Sequence, residues 1–118
     1  MSDDIKKKID VVFIAGGKFH DIDFARLEIL KLLAEDDRMK TRVFEDYSNL
    51  HAIEKADFLI TYTCDVRPTL EQQKALKSYV ASGKRWLALH GTNSILQFMS
   101  DGKVDSPRIA PIMMETLG

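Results

Sequence analysis

Apolar and polar positions change period along this chain in a regular order. Residues 9–15 read Ile-Asp-Val-Val-Phe-Ile-Ala, a short, nearly continuous apolar run rich in β-branched side chains. Such a run predicts a strand covered on both faces, stopped by Gly16 and Gly17. Ile22, Ala25, Ile29, Leu32 and Leu33 then recur at helical spacing behind Asp21 or Asp23 as cap, and the pattern runs out in Glu35-Asp36-Asp37. A second strand is predicted over 41–44, a brief helix over 50–56 and a third strand over 57–63. Thr69, with Gln72 three residues on, forms a capping box for a helix that carries Leu70, Leu76, Tyr79 and Val80 and ends at Ser82-Gly83. A fourth strand over 84–89 leads straight into His90-Gly91-Thr92-Asn93.

The remainder, 91–118, is less regular. Residues 94–99 fit a helical turn, and Asp101-Gly102-Lys103 is a turn signal. Pro107 and Pro111 forbid one continuous helix, and 112–117 either begin a helix or end a loop. Strands alternating with helices predict the α/β class, a doubly wound, mostly parallel sheet with helices on both faces. Open sheets of this kind usually hold about five strands or more. Four strands therefore imply either an exposed edge or part of a larger domain, and an exposed edge invites pairing with a second copy.

Composition narrows the class. The 118 residues suit one domain, 1–118, and 45% hydrophobic with 30% charged residues is the balance of a globular chain, not a disordered one. Lys plus Arg is 17 against 18 for Asp plus Glu, with no basic stripe, so no nucleic-acid partner is expected. The Lys6-Lys7-Lys8 run reads as a solvated flank of the first strand. One cysteine, Cys64, excludes an intrachain disulfide and a multi-cysteine metal site, which points to a reducing, cytoplasmic setting. The charged N-terminus does not read as a leader, and the longest wholly apolar run, Val11 to Ala15, is too short to span a bilayer.

In open parallel sheets ligands bind beyond the carboxyl ends of the strands. Three loops leave such ends here, and they hold nearly all of the candidate chemistry: 16–21, 63–68 and 90–94. Gly16 and Gly17 permit close backbone approach to a ligand, or simply a tight turn. His20 and His90 share one rim if strands one and four lie near each other, and an imidazole there serves as acid, base or metal ligand. A divalent metal would add Asp21, Asp23 or Asp65, although no HxH or HxxxH spacing supports one. Cys64, ahead of a helix and near Arg67, is either a thiolate nucleophile or a small buried residue. Asp65 and Arg67 either contact a polyol or carboxylate or pair with each other. Thr92 and Asn93 follow His90 and offer hydroxyl and amide groups to a ligand. Trp86 and Phe58 read as core, and His51 as a surface position.

Three segments together carry a family likeness: Phe13-Ile14-Ala15-Gly16-Gly17-Lys18-Phe19-His20-Asp21, the loop after Thr61-Tyr62-Thr63, and Trp86-Leu87-Ala88-Leu89-His90-Gly91-Thr92. Over residues 9–93 the chain resembles the ThuA-like (trehalose-utilisation) family, which shares the class I glutamine amidotransferase-like, flavodoxin-like fold. The resemblance implies a role in carbohydrate metabolism, with trehalose or a related sugar as ligand; if the chain is an enzyme, the rim is expected to hydrolyse or isomerise a sugar derivative. His90 and His20 would be its catalytic groups. Gly16, Gly17, Cys64, Asp65, Arg67, Thr92 and Asn93 would contact substrate. Amidotransferases of this fold carry a cysteine at the elbow where His90 stands, so cysteine-dependent glutaminase chemistry is not expected. Family members run to about twice this length, which makes the chain the N-terminal part of a larger domain. Two other functions compete with this one: a non-catalytic binding module of the same fold, and a thiol-reactive protein built on Cys64.

Overall fold

A computed structural model describes residues 7–105 and 110–118. Lys6 and Pro107, named above, lie outside the described residues. The elements are β1 (Ile9–Gly17), α1 (Ile22–Leu33), β2 (Met39–Phe44), α2 (Leu50–Lys55), β3 (Phe58–Cys64), α3 (Leu70–Ala81), β4 (Arg85–Ala88), β5 (Gln97–Phe98), β6 (Val104–Asp105) and α4 (Pro111–Leu117). Four strands form one sheet in the order β2-β1-β3-β4, and every neighbouring pair is parallel. The chain has the α/β fold expected of its alternating pattern, consistent with a flavodoxin-like arrangement.

The apolar run of β1 follows from its position between β2 and β3. Val11, Phe13 and Ala15 face one side with Ile60, and Ile22, Ile29, Leu30 and Leu33 of α1 pack on them. Val12 and Ile14 face the other side with Leu59, under Ile53 of α2, Leu76 and Tyr79 of α3 and Met113 of α4. The two faces are covered unequally. No residue of α1 is fully buried, and Leu87 of the edge strand β4 is 55% exposed.

Helix ends follow local chemistry. The Asp21 carboxylate accepts from the Phe24 amide and caps α1, which starts at Ile22. The Thr69–Gln72 capping box forms as the sequence indicates. Ala110 offers no side-chain cap to α4, so α3 supplies one. Buried Gln73 accepts from the amides of Ile112 and Met113 at 3.1 and 3.3 Å.

Two expectations are corrected. β1 does not stop before Gly16. Gly16 and Gly17 continue it, in register with Thr63 and Cys64. Residues 94–99 make no helical turn. Gln97–Phe98 pair antiparallel with Val104–Asp105 in a small hairpin, closed by Asp101 accepting from the Lys103 amide. Two-residue strands have no periodicity to read, so a turn signal was all the sequence offered. At 112–117, where helix and loop both stood open, a helix forms with Pro111 in its first turn.

Candidate active-site rim

All four strands point the same way, so the loops after β1, β3 and β4 emerge on one rim. β1 and β3 are central neighbours. β1 leads through α1 to β2 on one side, and β3 leads through α3 to β4 on the other. This is the switch point at which open α/β sheets form a ligand crevice.

Backbone contacts stitch the three loops together. Lys18 N–H donates to the Cys64 carbonyl at 2.9 Å, Asp65 N–H to Ser94 at 2.7 Å, and Leu89 N–H to Thr61 at 2.8 Å. A side chain is excluded at the joins. A Cβ on Gly17, whose φ is +106°, would lie 1.9 Å from the Cys64 carbonyl oxygen, and one on Gly91, φ +85°, would lie 2.1 Å from that of Thr63. At Gly16 the same space is filled by the Glu45 carbonyl at 2.1 Å. The close approach permitted by Gly16 and Gly17 is therefore to the protein's own backbone.

His20 and His90 meet on this rim. Their ring centroids are 4.9 Å apart with planes tilted by 58°. β3 lies between the strands that carry them, and the two imidazoles reach across its end. His20 is half-buried and also packs edge-on against Tyr62, 6.2 Å away. Tyr62 is a rim residue that sequence reasoning treats only as part of a strand. Its place at the end of β3, on the α1 side, is what brings it under His20. His90 and Asn93 are exposed, and His51 is exposed on α2.

The loop that holds His90 is fixed by a buried polar relay. Trp86 Nε1–H donates to Thr61 Oγ1 at 3.0 Å, Thr61 and Thr92 hydroxyls bond at 2.8 Å, and Thr92 Oγ1 donates to the Leu89 carbonyl at 2.8 Å. The Leu89 carbonyl can only accept, so the Thr92 proton goes to it and the Thr61 proton goes to Thr92. Thr92 thus spends its hydroxyl inside the fold, and Trp86 combines core packing with one polar contact.

Asp65 is the second fixed point. Its side chain is 6% exposed, and its backbone takes a left-handed φ of +58°. The carboxylate accepts from the Leu96 amide at 2.9 Å and from Arg67 Nε at 3.1 Å, with Lys18 Nζ 3.4 Å away. Burial alone would raise its pKa, but the Leu96 amide, the Arg67 guanidinium and Lys18 outweigh it and hold the carboxyl below its ordinary value. Arg67 also donates to the Leu96 carbonyl at 2.5 Å. Of the two roles open to Asp65 and Arg67, the structure displays mutual pairing that ties the β3 loop to the segment after His90.

Cys64 does not have the surroundings of a thiolate. It is 3% exposed, and burial together with the Asp65 charge pushes its pKa up, the reverse of the activation a helix start and Arg67 would give. α3 starts only at Leu70, and Arg67 is already engaged. Deeper in, Tyr47 Oη and Thr63 Oγ1 are buried without a well-formed hydrogen bond. Burial pushes the Tyr47 phenol up to about 12, with the Thr63 hydroxyl as a smaller opposing influence.

Among the described residues no three His, Cys, Asp or Glu side chains come together as a metal-ligand set, so the rim offers only the two imidazoles. Asp21 is committed to capping α1 and Asp23 to Arg26. No helix among the described residues is long and apolar enough to cross a membrane. Comparison with known protein families, with curated proteins and with solved structures yields no match to this chain.

Proposed function

We propose that the rim binds a polar small molecule, a sugar or sugar derivative, and that His90 and His20 transfer protons to and from it. The observation that carries this is the pair of imidazoles 4.9 Å apart at the switch point of the sheet. An imidazole can give or take a proton near neutral pH, and two facing one space allow an acid and a base to act on one substrate. His90 is the more open of the two and takes the first role, with His20 steadied by Tyr62. Hydrolysis or isomerisation fits such a pair. The carbohydrate class rests on the resemblance of the three rim segments to the ThuA-like family. Asn93 is exposed and has no side-chain hydrogen bond among the described residues, which leaves its amide open to ligand hydroxyls. A single free, buried cysteine supports a reducing, cytoplasmic setting.

A panel of disaccharides and sugar derivatives, assayed for binding by ligand-observed NMR and for turnover, tests the proposal. His90→Ala is expected to keep binding and lose turnover by about 100-fold or more. Folded protein that neither binds nor converts any member of the panel would overturn it. One observation favours a second function, that of a non-catalytic binding module: Asp65, Arg67 and Thr92 each make hydrogen bonds within the protein. Binding without turnover in the wild type would select that function.

A further inference from the structure

The opposite end of the sheet holds a second concave feature, and its chemistry differs. β2 is an edge strand, and its alternation places Lys40 and Arg42 on the side of the sheet that α2 covers. Lys55, the last residue of α2, reaches the same space. The three cations line a groove of about 240 Å³ whose floor includes Ala52 and Ala56. Asp10 stands at one end, in register with Lys40 across the β1–β2 pair.

Lys40, Arg42 and Lys55 form no ion pair among the described residues, whereas Lys18, Arg26, Lys31, Arg38 and Arg67 each have a carboxylate partner. Neighbouring Arg38 is held by Asp36, and Lys8 donates to the Asp37 carbonyl. With Asp10 offsetting one of the three, the groove carries a net excess of two positive charges in a chain whose formal net charge is -1. A concave wall of one sign concentrates the potential and attracts anions. Lysine on an edge strand also discourages strand pairing, but that role does not require a helix residue to converge on the same space.

We propose that this groove binds a small dianionic phosphate, free or as a monoester, with the planar fork of Arg42 as its main contact. Lys40 and Lys55 flank the phosphate, and the alanine floor accepts the organic part of an ester. The site is independent of the histidine rim, which lies at the other ends of the strands.

Titration of the whole chain with inorganic phosphate and phenyl phosphate at low ionic strength, followed by amide NMR, tests the site. We expect saturable shifts below about 10 mM, confined to residues 10–12, 40–42 and 52–56, and weaker binding as salt rises. The triple variant K40Q/R42Q/K55Q should lose affinity at least tenfold while its spectrum stays that of a folded protein. His90→Ala should bind as the wild type does, which separates failure here from failure at the rim. Several results would overturn the proposal: no saturation by about 20 mM, shifts spread over all surface lysines, or a triple variant that binds normally. Citrate binding as tightly as phenyl phosphate would overturn the phosphate assignment, and so would binding seen only with a single-stranded oligonucleotide.

Discussion

The rim above the carboxyl ends of the strands and the groove between β2 and α2 use polar residues in opposite ways. On the rim, Thr92, Asp65 and Arg67 spend hydrogen bonds on the protein, while His90 and Asn93 are exposed and His20 is half-buried beside His90. In the groove, Lys40, Arg42 and Lys55 form no ion pair among the described residues. The lesson concerns what a polar residue in a concave place signifies. A group that is already bonded internally builds the site, and a group left open is what a ligand can use. Substitutions should therefore cost folding stability on the rim, and cost only ligand affinity in the groove.

The sharpest break in that contrast comes from Gly91→Ala. The added Cβ would stand 2.1 Å from the Thr63 carbonyl at a φ of +85°. We expect a loss of at least about 3 kcal/mol in a urea melt, or no folded protein. A wild-type midpoint would show that the loops are not locked as described.

Asp65→Ala comes next. It removes the acceptor of the Leu96 amide and the partner of Arg67, for an expected loss of about 2 kcal/mol. The folded carboxyl sits below its ordinary pKa, so its contribution is present above the unfolded value of about 4 and is lost as pH falls through the folded one. The variant should accordingly lose part of the wild type's acid sensitivity below about pH 4, read from denaturation midpoints across pH. A parallel pH profile in wild type and variant would refute the claim.

Thr61→Val breaks the relay from Trp86 to Leu89 and leaves the indole N–H unpaired, at a cost of about 1–2 kcal/mol. Its more telling readout is the His90 imidazole resonance, which should broaden or shift as the 89–92 turn loosens. An unchanged resonance would mean the relay does not position His90.

Tyr47→Phe removes a buried hydroxyl that has no well-formed bond, so stability should stay level or rise by up to about 1 kcal/mol. The raised phenol pKa gives the sign at high pH. The neutral phenol supports the fold below the unfolded value of about 10, and this support fades as pH climbs toward the folded value of about 12. The Phe variant should resist alkaline unfolding better than the wild type, and a marked loss of stability at neutral pH would reveal a bond at Tyr47 after all. The smallest stability effect belongs to K40Q/R42Q/K55Q. Its melting midpoint should stay within about 3 °C of the wild type, and a larger drop would mean that these cations hold the fold together.

Particular residues show how far the sequence could be read. The β1 run was legible because a central parallel strand is apolar on both faces, and the Thr69–Gln72 box because capping is local chemistry. Gly16 and Gly17 were legible as places of close approach, but what approaches them is set by Glu45 and Cys64, distant in sequence. Cys64 could be read as nucleophile or as core. Its burial, a product of packing, leads the charge of its chain neighbour Asp65 in setting the direction of its pKa. The meeting of His20 and His90 depended on strand order, which periodicity does not encode.

By itself the sequence determined the order of strands and helices and the three loops that carry the candidate chemistry, because period, caps and turn residues act over a few neighbours. Tertiary structure alone decided which polar groups are consumed internally, which two imidazoles face each other, and that Lys55 joins Lys40 and Arg42. Each of these is a contact between residues far apart in the chain, and only the packing of helices on the sheet brings such residues within reach.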